Sequence, residues 1–188
     1  MEGIVLPSFF LTAMIDIDFG KYKSHLVLKR RPESPVLAPE TSRTAPHILE
    51  KKDDTPLIYD PVRRKYLVRT PEEVVRQLVI CFLMEELGYS VNSMQVEKSL
   101  TVNGLEKRCD ILGLDGNTRP FLLIECKAPS IKLAQKVFKQ IAWYNMPLQV
   151  PYLMVTNGMV TFCCRMDYSA RTFQFIQTVP PFSPAVSK

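Results

Sequence analysis

Three side chains in the segment RCDILGLDGNTRPFLLIECKAPS have the types and spacing for chemistry on a phosphodiester: Asp110, Glu125 and Lys127. Asp110 and Glu125 have fourteen residues between them, and Lys127 follows Glu125 by two. Along FLLIECK alternate side chains share a face, so Phe121, Leu123, Glu125 and Lys127 project to one side and Leu122, Ile124 and Cys126 to the other. The preceding run LEKRCDILGLD also reads as a strand, and Gly116-Asn117 marks a turn after it. In an antiparallel pair closed by that turn, Asp110 comes opposite or diagonal to Glu125, with Cβ atoms within about 5–8 Å. Two carboxylates that close repel each other unless a cation or a proton compensates them. A hard divalent ion such as Mg²⁺ does so through oxygen ligands and keeps waters for reaction. Lys127 could then orient or deprotonate an attacking water, or stabilise a phosphorane-like transition state. The same spacing also arises as a solvated charge cluster on an exposed sheet face, so its context decides. Exposed strand-end carboxylates contribute little to packing, so replacing either is expected to leave the fold intact.

The elements around these residues supply the context. LIYDPVRRKYLVRT reads as two short strands around an Asp60-Pro61 turn. Thr70 and Glu73 are spaced for a capping box, with Pro71 at the first helical position. Val74, Val75, Leu78, Val79, Phe82, Leu83 and Leu87 then follow helical spacing until Gly88 stops the helix. A strand is expected near Met94–Val102, then a hairpin turn at Asn103-Gly104 and the Asp110 strand. The Glu125 strand completes a three-strand meander. Pro129-Ser130 is expected to cap a second helix, roughly Ile131–Asn145, with Ala134, Val137, Phe138, Ile141 and Ala142 on its apolar face. Lys132, Lys136, Gln140 and Tyr144 recur every four residues and form a stripe beside that face. Such a stripe is either an ordinary solvated face or a contact for a phosphate backbone with a base or sugar beside it. PYLMVTN and MVTFCCRM read as strands joined at Asn157-Gly158, and a last strand lies near Arg171–Gln177.

Composition sets the outer bounds. The 188-residue chain is long enough for one domain with a real core plus an appendage. We expect an N-terminal extension over residues 1–29, a Pro- and charge-rich linker without apolar period over 30–56, the main domain over 57–177, and a Pro-rich tail over 178–188. The opening stretch IVLPSFFLTAMI reads as a strand or a docking segment, or as a consequence of start-site choice, since Met14 is an alternative start. It lacks a basic n-region and runs into Asp16 and Asp18, so neither a signal peptide nor a membrane span is expected. The five cysteines are odd in number and lack metal spacing, which fits reduced core thiols and a cytoplasmic protein. The net charge of +5 favours an anionic partner without demanding one. No G-x-x-x-x-G-K-[ST] loop is present, so nucleotide hydrolysis is not supported.

Taken together, IYDPVRRKYLVRTPEEVVRQ, KRCDILGLD, LLIECKAPS, QIAWYNMPL and PYLMVTNG resemble the PD-(D/E)xK nuclease superfamily. Within it they resemble small bacterial proteins related to the N-terminal nuclease domain of type I restriction enzyme R subunits. The resemblance implies an α/β (α+β) fold with a restriction-endonuclease-like core: helix, three-strand antiparallel meander, helix, strand, in a mixed central sheet flanked by helices. It implies a nuclease using Mg²⁺ or Mn²⁺, with Asp110 and Glu125 as metal ligands and Lys127 as the catalytic lysine. It adds the backbone carbonyl of Cys126 to the metal shell and Glu73 as a further acidic candidate, with Glu85 and Glu86 as competitors for that place. Gln140 and Tyr144 match the Q-x-x-x-Y element of the RecB-like branch and, with Lys132 and Lys136, would contact substrate. DNA is the implied partner, RNA being left open, either for a homodimer or within a larger restriction or repair complex. The rivals are a catalytically silent nucleic-acid-binding or accessory subunit, and a protein-interaction subunit that docks through its apolar N-terminus. Cys109 stands where the superfamily has proline before the aspartate, and the motor region of R subunits has no counterpart here.

Overall fold

Apolar spacing after Thr70 produces helix α1, Pro71–Glu85, in the computed structural model, which describes residues 13–30, 55–102, 105–133, 141, 145 and 148–184. The Thr70 hydroxyl accepts the Glu73 amide hydrogen at 3.0 Å, and Gly88 follows the helix in the left-handed conformation at φ 74°. The reciprocal half of the expected capping box does not form, because the Glu73 side chain turns inward to arginines and the Thr70 amide donates to the Val68 carbonyl instead. Val75, Val79 and Leu83 are buried as the periodicity requires. Glu73, Arg76 and Gln77 are buried too, so α1 is covered on more than its apolar stripe.

Ten strands are described: β1 (Met14–Ile15), β2 (Leu28–Arg30), β3 (Pro56–Asp60), β4 (Lys65–Val68), β5 (Met94–Val102), β6 (Leu105–Leu114), β7 (Pro120–Cys126), β8 (Tyr152–Thr156), β9 (Thr161–Asp167) and β10 (Thr172–Ile176). Seven form one mixed sheet in the order β1-β9-β8-β7-β6-β5, with β10 beside β1 on the far edge of β9. β5, β6 and β7 are the expected antiparallel meander, and β8 joins β7 in parallel. Helix, antiparallel meander and parallel strand are the elements of a restriction-endonuclease-like α+β fold. β2, β3 and β4 make a separate antiparallel sheet.

The two faces of the main sheet build two apolar clusters. Ile111, Leu122, Ile124, Cys126 and Met154 pack with Val75, Val79 and Leu83 of α1. Leu112, Leu123, Leu153 and Val155 pack with Leu133 and Ile141 on the other face. The alternation along β7 is thus the one that period two demands. Gly158, at φ 80° in the β8–β9 turn, comes so close to α1 that a Cβ there would lie 3.2 Å from Val75 Cγ2.

The N-terminal segment is part of this architecture. β1 extends the main sheet, and a 3-10 helix at Phe19–His25 sets Phe19 and Tyr22 against Phe82, with ring centroids 5.9 and 6.4 Å apart. The Pro-rich C-terminal segment also packs, through a buried Val179 and an amide bond from Phe182 to the Leu87 carbonyl at 2.7 Å. The expected linker over 30–56 falls, except for its ends, outside the described residues, as does the Asn103-Gly104 turn. The second helix starts later than expected. Ile131–Leu133 is not helical, because Pro129-Ser130 forms a turn and the Ile131 carbonyl accepts from Asn157 Nδ2 at 2.9 Å. Ile141 and Asn145 are helical and buried; residues 134–140, 142–144 and 146–147 lie outside the described residues. Among the described residues, no helix is long and apolar enough to cross a membrane.

Candidate active site

Strand register brings the first two chemical candidates together. β6 and β7 pair through Ile111↔Ile124, and one step further along that register sets Asp110 opposite Glu125. On its other side, Val96↔Ile111 and Lys98↔Cys109 bracket Glu97 of β5 opposite Asp110. Three carboxylates therefore follow one another across three strands. Beyond Ile111 the ladder gives way to side-chain bonding: the Cys126 amide donates to Asp110 Oδ2 at 2.7 Å, while the next amide, of Lys127, donates to the Thr156 carbonyl of β8. Glu97 has φ 52° without being glycine, a conformation that costs roughly 1–2 kcal/mol and is favoured only where neighbours hold it.

Each carboxylate meets a cation. Lys127 Nζ donates to Glu125 Oε1 at 2.5 Å, and Arg76 Nη2 donates to Asp110 Oδ1 at 2.7 Å. Asp110 is only 14% exposed, against 25% for Glu125 and 30% for Lys127. This differs from the exposed strand-end carboxylates expected from the sequence. The reason is α1, which lays Arg76 over Asp110 and closes it from solvent.

Behind these groups lies a buried ionic layer. Arg63 donates from Nε to Asp60 Oδ2 at 2.7 Å, from Nη1 to Glu97 Oε2 at 2.5 Å and from Nη2 to Glu73 Oε1 at 2.8 Å. Gln77 Nε2 lies 2.9 Å from both Asp60 Oδ2 and Glu73 Oε1. Arg76 Nη1 donates to Glu73 Oε2. Both oxygens of Glu73 thus accept hydrogen bonds from buried donors, while the buried Nε of Arg76 has no partner among the described residues. Among the described residues, the ion pairs of this region join six carboxylates (Asp60, Glu72, Glu73, Glu97, Asp110, Glu125) to four cations (Arg63, Arg76, Arg108, Lys127), so the carboxylates outnumber the cations by two.

The electrostatics reflect that surplus. Burial, and then the negative charge of Asp110, push the Glu125 carboxyl above its ordinary range, with Lys127 opposing. Burial works against the Lys127 ammonium, but the Glu125 hydrogen bond and the surrounding carboxylates outweigh it and hold it above its usual value. Burial likewise opposes charge on Arg76, and Asp110 and Glu73 overcome it. The pattern is that of carboxylates held close together in partial burial.

Among the other residues singled out from sequence, Lys132 is exposed beside the Pro129-Ser130 turn. Lys136, Gln140 and Tyr144 lie outside the described residues. Glu85 and Glu86 point away from the carboxylates, to His25 and to Lys21 and Tyr22. A cleft of about 570 Å³ along the β9–β10 hairpin, between Arg165 and Gln174, shares no residue with the cluster. Sequence reasoning missed Arg63, Arg76, Glu97 and Asp60 as parts of the cluster. Arg76 carried one signal, its i,i+3 spacing from Glu73 on a helix. Glu97 carried none.

Comparison with known proteins now bears on this geometry. No curated protein matches the chain. A solved fragment described as an HsdR subunit of a type I restriction enzyme from Vibrio vulnificus YJ016 is 22% identical, with a TM-score of 0.44 over 58% of this chain and 23% of that one. The chain therefore spans under a quarter of that relative's length. The family described as type I restriction enzyme R protein N terminus matches residues 71–180, which include α1, the meander with Asp110 and Glu125, and β8 to β10. With more than half of its length matched, the chain belongs to the type I restriction enzyme R protein N-terminal family.

Proposed function

We propose that this protein is a metal-dependent nuclease that hydrolyses phosphodiester bonds of DNA, with RNA left open. The observation that carries the reading is the pairing of Asp110 and Glu125 across β6 and β7, with Lys127 beside them, in a cluster whose carboxylates outnumber its cations by two among the described residues. Among the described residues no three acidic, His or Cys side chains converge as a complete metal-ligand set. Two carboxylates and that charge surplus nonetheless fit Mg²⁺ or Mn²⁺, since Mg²⁺ is commonly held by one or two carboxylates and keeps several waters. Asp110 and Glu125 would hold the ion. In an extended strand the N–H and C=O of one residue project to the same edge. The Cys126 amide faces Asp110, which supports the Cys126 carbonyl as a third oxygen ligand. When bound, the ion would supply Lewis-acid polarisation of the scissile phosphate and acidify an attacking water.

The chain's own groups do the rest. The Asp110 oxygens already receive Arg76 and the Cys126 amide, and each carboxylate oxygen keeps a second lone pair for a ligand. Asp110 is thereby oriented in advance. Lys127 Nζ stands next to Glu125, where it can orient the water or donate to the developing charge. Glu73 acts through Arg76, which it anchors. Gln140, Tyr144, Lys132 and Lys136 would contact the strand. Partners in a restriction or repair complex, or a second copy of the chain, would complete the assembly.

The test is cleavage in Mg²⁺, Mn²⁺ or EDTA by wild type, Asp110→Asn and Glu125→Gln. Turnover is expected only in the divalent ions and only in wild type. Activity that survives in both variants would sink the reading. Binding of nucleic acid without any turnover would mark a silent accessory subunit instead.

A further inference from the structure

The sheet β2–β3–β4 presents an outward face that the catalytic reading leaves unused. Register sets Val27, Tyr59 and Tyr66 in one row across it and Lys29, Leu57 and Val68 in the next. The opposite face carries the fully buried Ile58 and Asp60. On the outward face Tyr66 is 41% exposed, its ring tilted against Tyr59 at 5.2 Å, and Lys29 Nζ stands 5.5 Å from the Tyr66 centroid. Lys29 on this face and Arg64 at the β3–β4 turn are exposed cations beside it, whereas Lys65, paired with Asp60, and Arg69, opposite Pro56, alternate onto the other side. No carboxylate of these strands or their described turn is exposed, since Asp60, the single acid there, is buried and paired with Arg63. The same turn ties this sheet to the carboxylate cluster, because Arg63 reaches Glu73 and Glu97 while its neighbour Arg64 faces solvent.

We propose that this face is a platform for single-stranded nucleic acid, with a base stacked on Tyr66 and phosphates held by Lys29 and Arg64. An aromatic surface with exposed cations beside it suits an unpaired strand, whose bases are free to stack and whose backbone is a polyanion. A duplex keeps its bases within its own stack and offers the platform only phosphates. The proposal rests on the nuclease reading only in giving the platform a purpose, which is to lead a strand along the β3–β4 turn toward Asp110 and Glu125.

The experiment is fluorescence anisotropy in EDTA with a labelled oligothymidylate and, separately, a duplex of mixed sequence. Wild type, Tyr66→Ala, Tyr66→Phe and the double variant Lys29→Gln, Arg64→Gln are compared across a salt series. Loss of one stacked base is expected to weaken Tyr66→Ala on the single strand by about tenfold, with duplex binding changed less than twofold. Tyr66→Phe keeps the ring and is expected to bind as wild type. The double variant is expected to flatten the single-strand salt slope by about 1.4, since each phosphate contact contributes about 0.7. All three side chains replaced are exposed, so melting temperatures should stay at the wild-type value. Tyr66→Ala binding the single strand as wild type, or losing single strand and duplex alike, overturns the platform, as does an unchanged salt slope in the double variant. If the platform fails but the nuclease reading stands, Tyr66→Ala binds and cuts as wild type. If the nuclease reading fails but the platform stands, Tyr66→Ala loses single-strand affinity in a protein that cuts nothing.

Discussion

Replacing Asp110 by alanine tests how deeply the candidate metal ligand is built into the fold. The change strands the amide of Cys126, a residue with no exposed surface. A buried donor left unpaired costs about 1–3 kcal/mol. It also removes the charged bond from Arg76 at 2.7 Å, a type worth about 1.5–3 kcal/mol. Part of that second loss is retained, because Arg76 keeps Glu73. Relief of the repulsion that raises Glu125 offsets a further part. The net expectation is a loss of roughly 2–4 kcal/mol in metal-free protein, as the sum of those partial effects. For a chain of this size that lowers the melting temperature by roughly 4–16 °C. Asparagine keeps an oxygen for the Cys126 amide but loses the charge and turns its NH2 donor toward Arg76, so Asp110→Asn gives up the Arg76 bond alone and should fall by about half as much. Urea unfolding in EDTA at pH 7, read as a shift in midpoint at constant slope, measures both. An Asp110→Ala protein within about 0.5 kcal/mol of wild type would refute the buried geometry and restore the exposed carboxylate expected from sequence.

Further outcomes follow from the same ionic layer and core. Arg76→Met leaves Glu73 and Asp110 short of a buried cation and should cost about 3–5 kcal/mol, more than Asp110→Ala, in the same unfolding assay; a wild-type midpoint would contradict that. Glu125 is a carboxyl raised above its unfolded value, so its ionised form weakens the folded state. Metal-free Glu125→Gln should therefore be at least as stable as wild type at pH 7. The difference should vanish as pH falls through the raised value toward the unfolded one near 4.5; a difference that grows on acidification would reverse the sign. Burial pushes the Cys109 thiol up to about 11 and that of Cys164 up to about 12, and Cys126 well above its usual value. Iodoacetamide at pH 8 should label native protein slowly, the partly exposed Cys81 first, and all five thiols quickly in denaturant. Rapid native labelling at Cys126 would show that β7 opens.

Local signals carried the parts of this fold that local physics decides. Thr70, Pro71 and Gly88 bound α1 because caps and stops depend on a few neighbouring backbone groups. The alternation of FLLIECK was legible because period two assigns faces before any partner is known, and the clusters around Ile124 and Leu123 follow it. Asp110 and Glu125 met because one turn fixes one register. Long-range choices were not legible. Nothing near Arg76 says that α1 crosses β6 at Asp110, and an arginine on a helix ordinarily looks solvated. Glu73 reads as a capping partner in sequence, whereas the arginines brought by the β3–β4 turn and by α1 itself draw it inward. Glu97 takes a left-handed conformation with no glycine to announce it. The N-terminal residues around Phe19 and Tyr22 join the core because Phe82 and the helix face need covering, a demand that belongs to the assembled molecule.

The central claim is a divalent-ion-dependent nuclease centred on Asp110, Glu125 and Lys127. Its most direct test is cleavage of labelled single- and double-stranded DNA in Mg²⁺, Mn²⁺ or EDTA, comparing wild type with Lys127→Ala. Lys127 is 30% exposed and bonds Glu125 alone among the described side chains, so its removal should spare the fold. Cutting that requires the ion and disappears in a folded Lys127→Ala protein is the expected result. Undiminished cutting by that variant, or binding with no cutting under any condition, would contradict it.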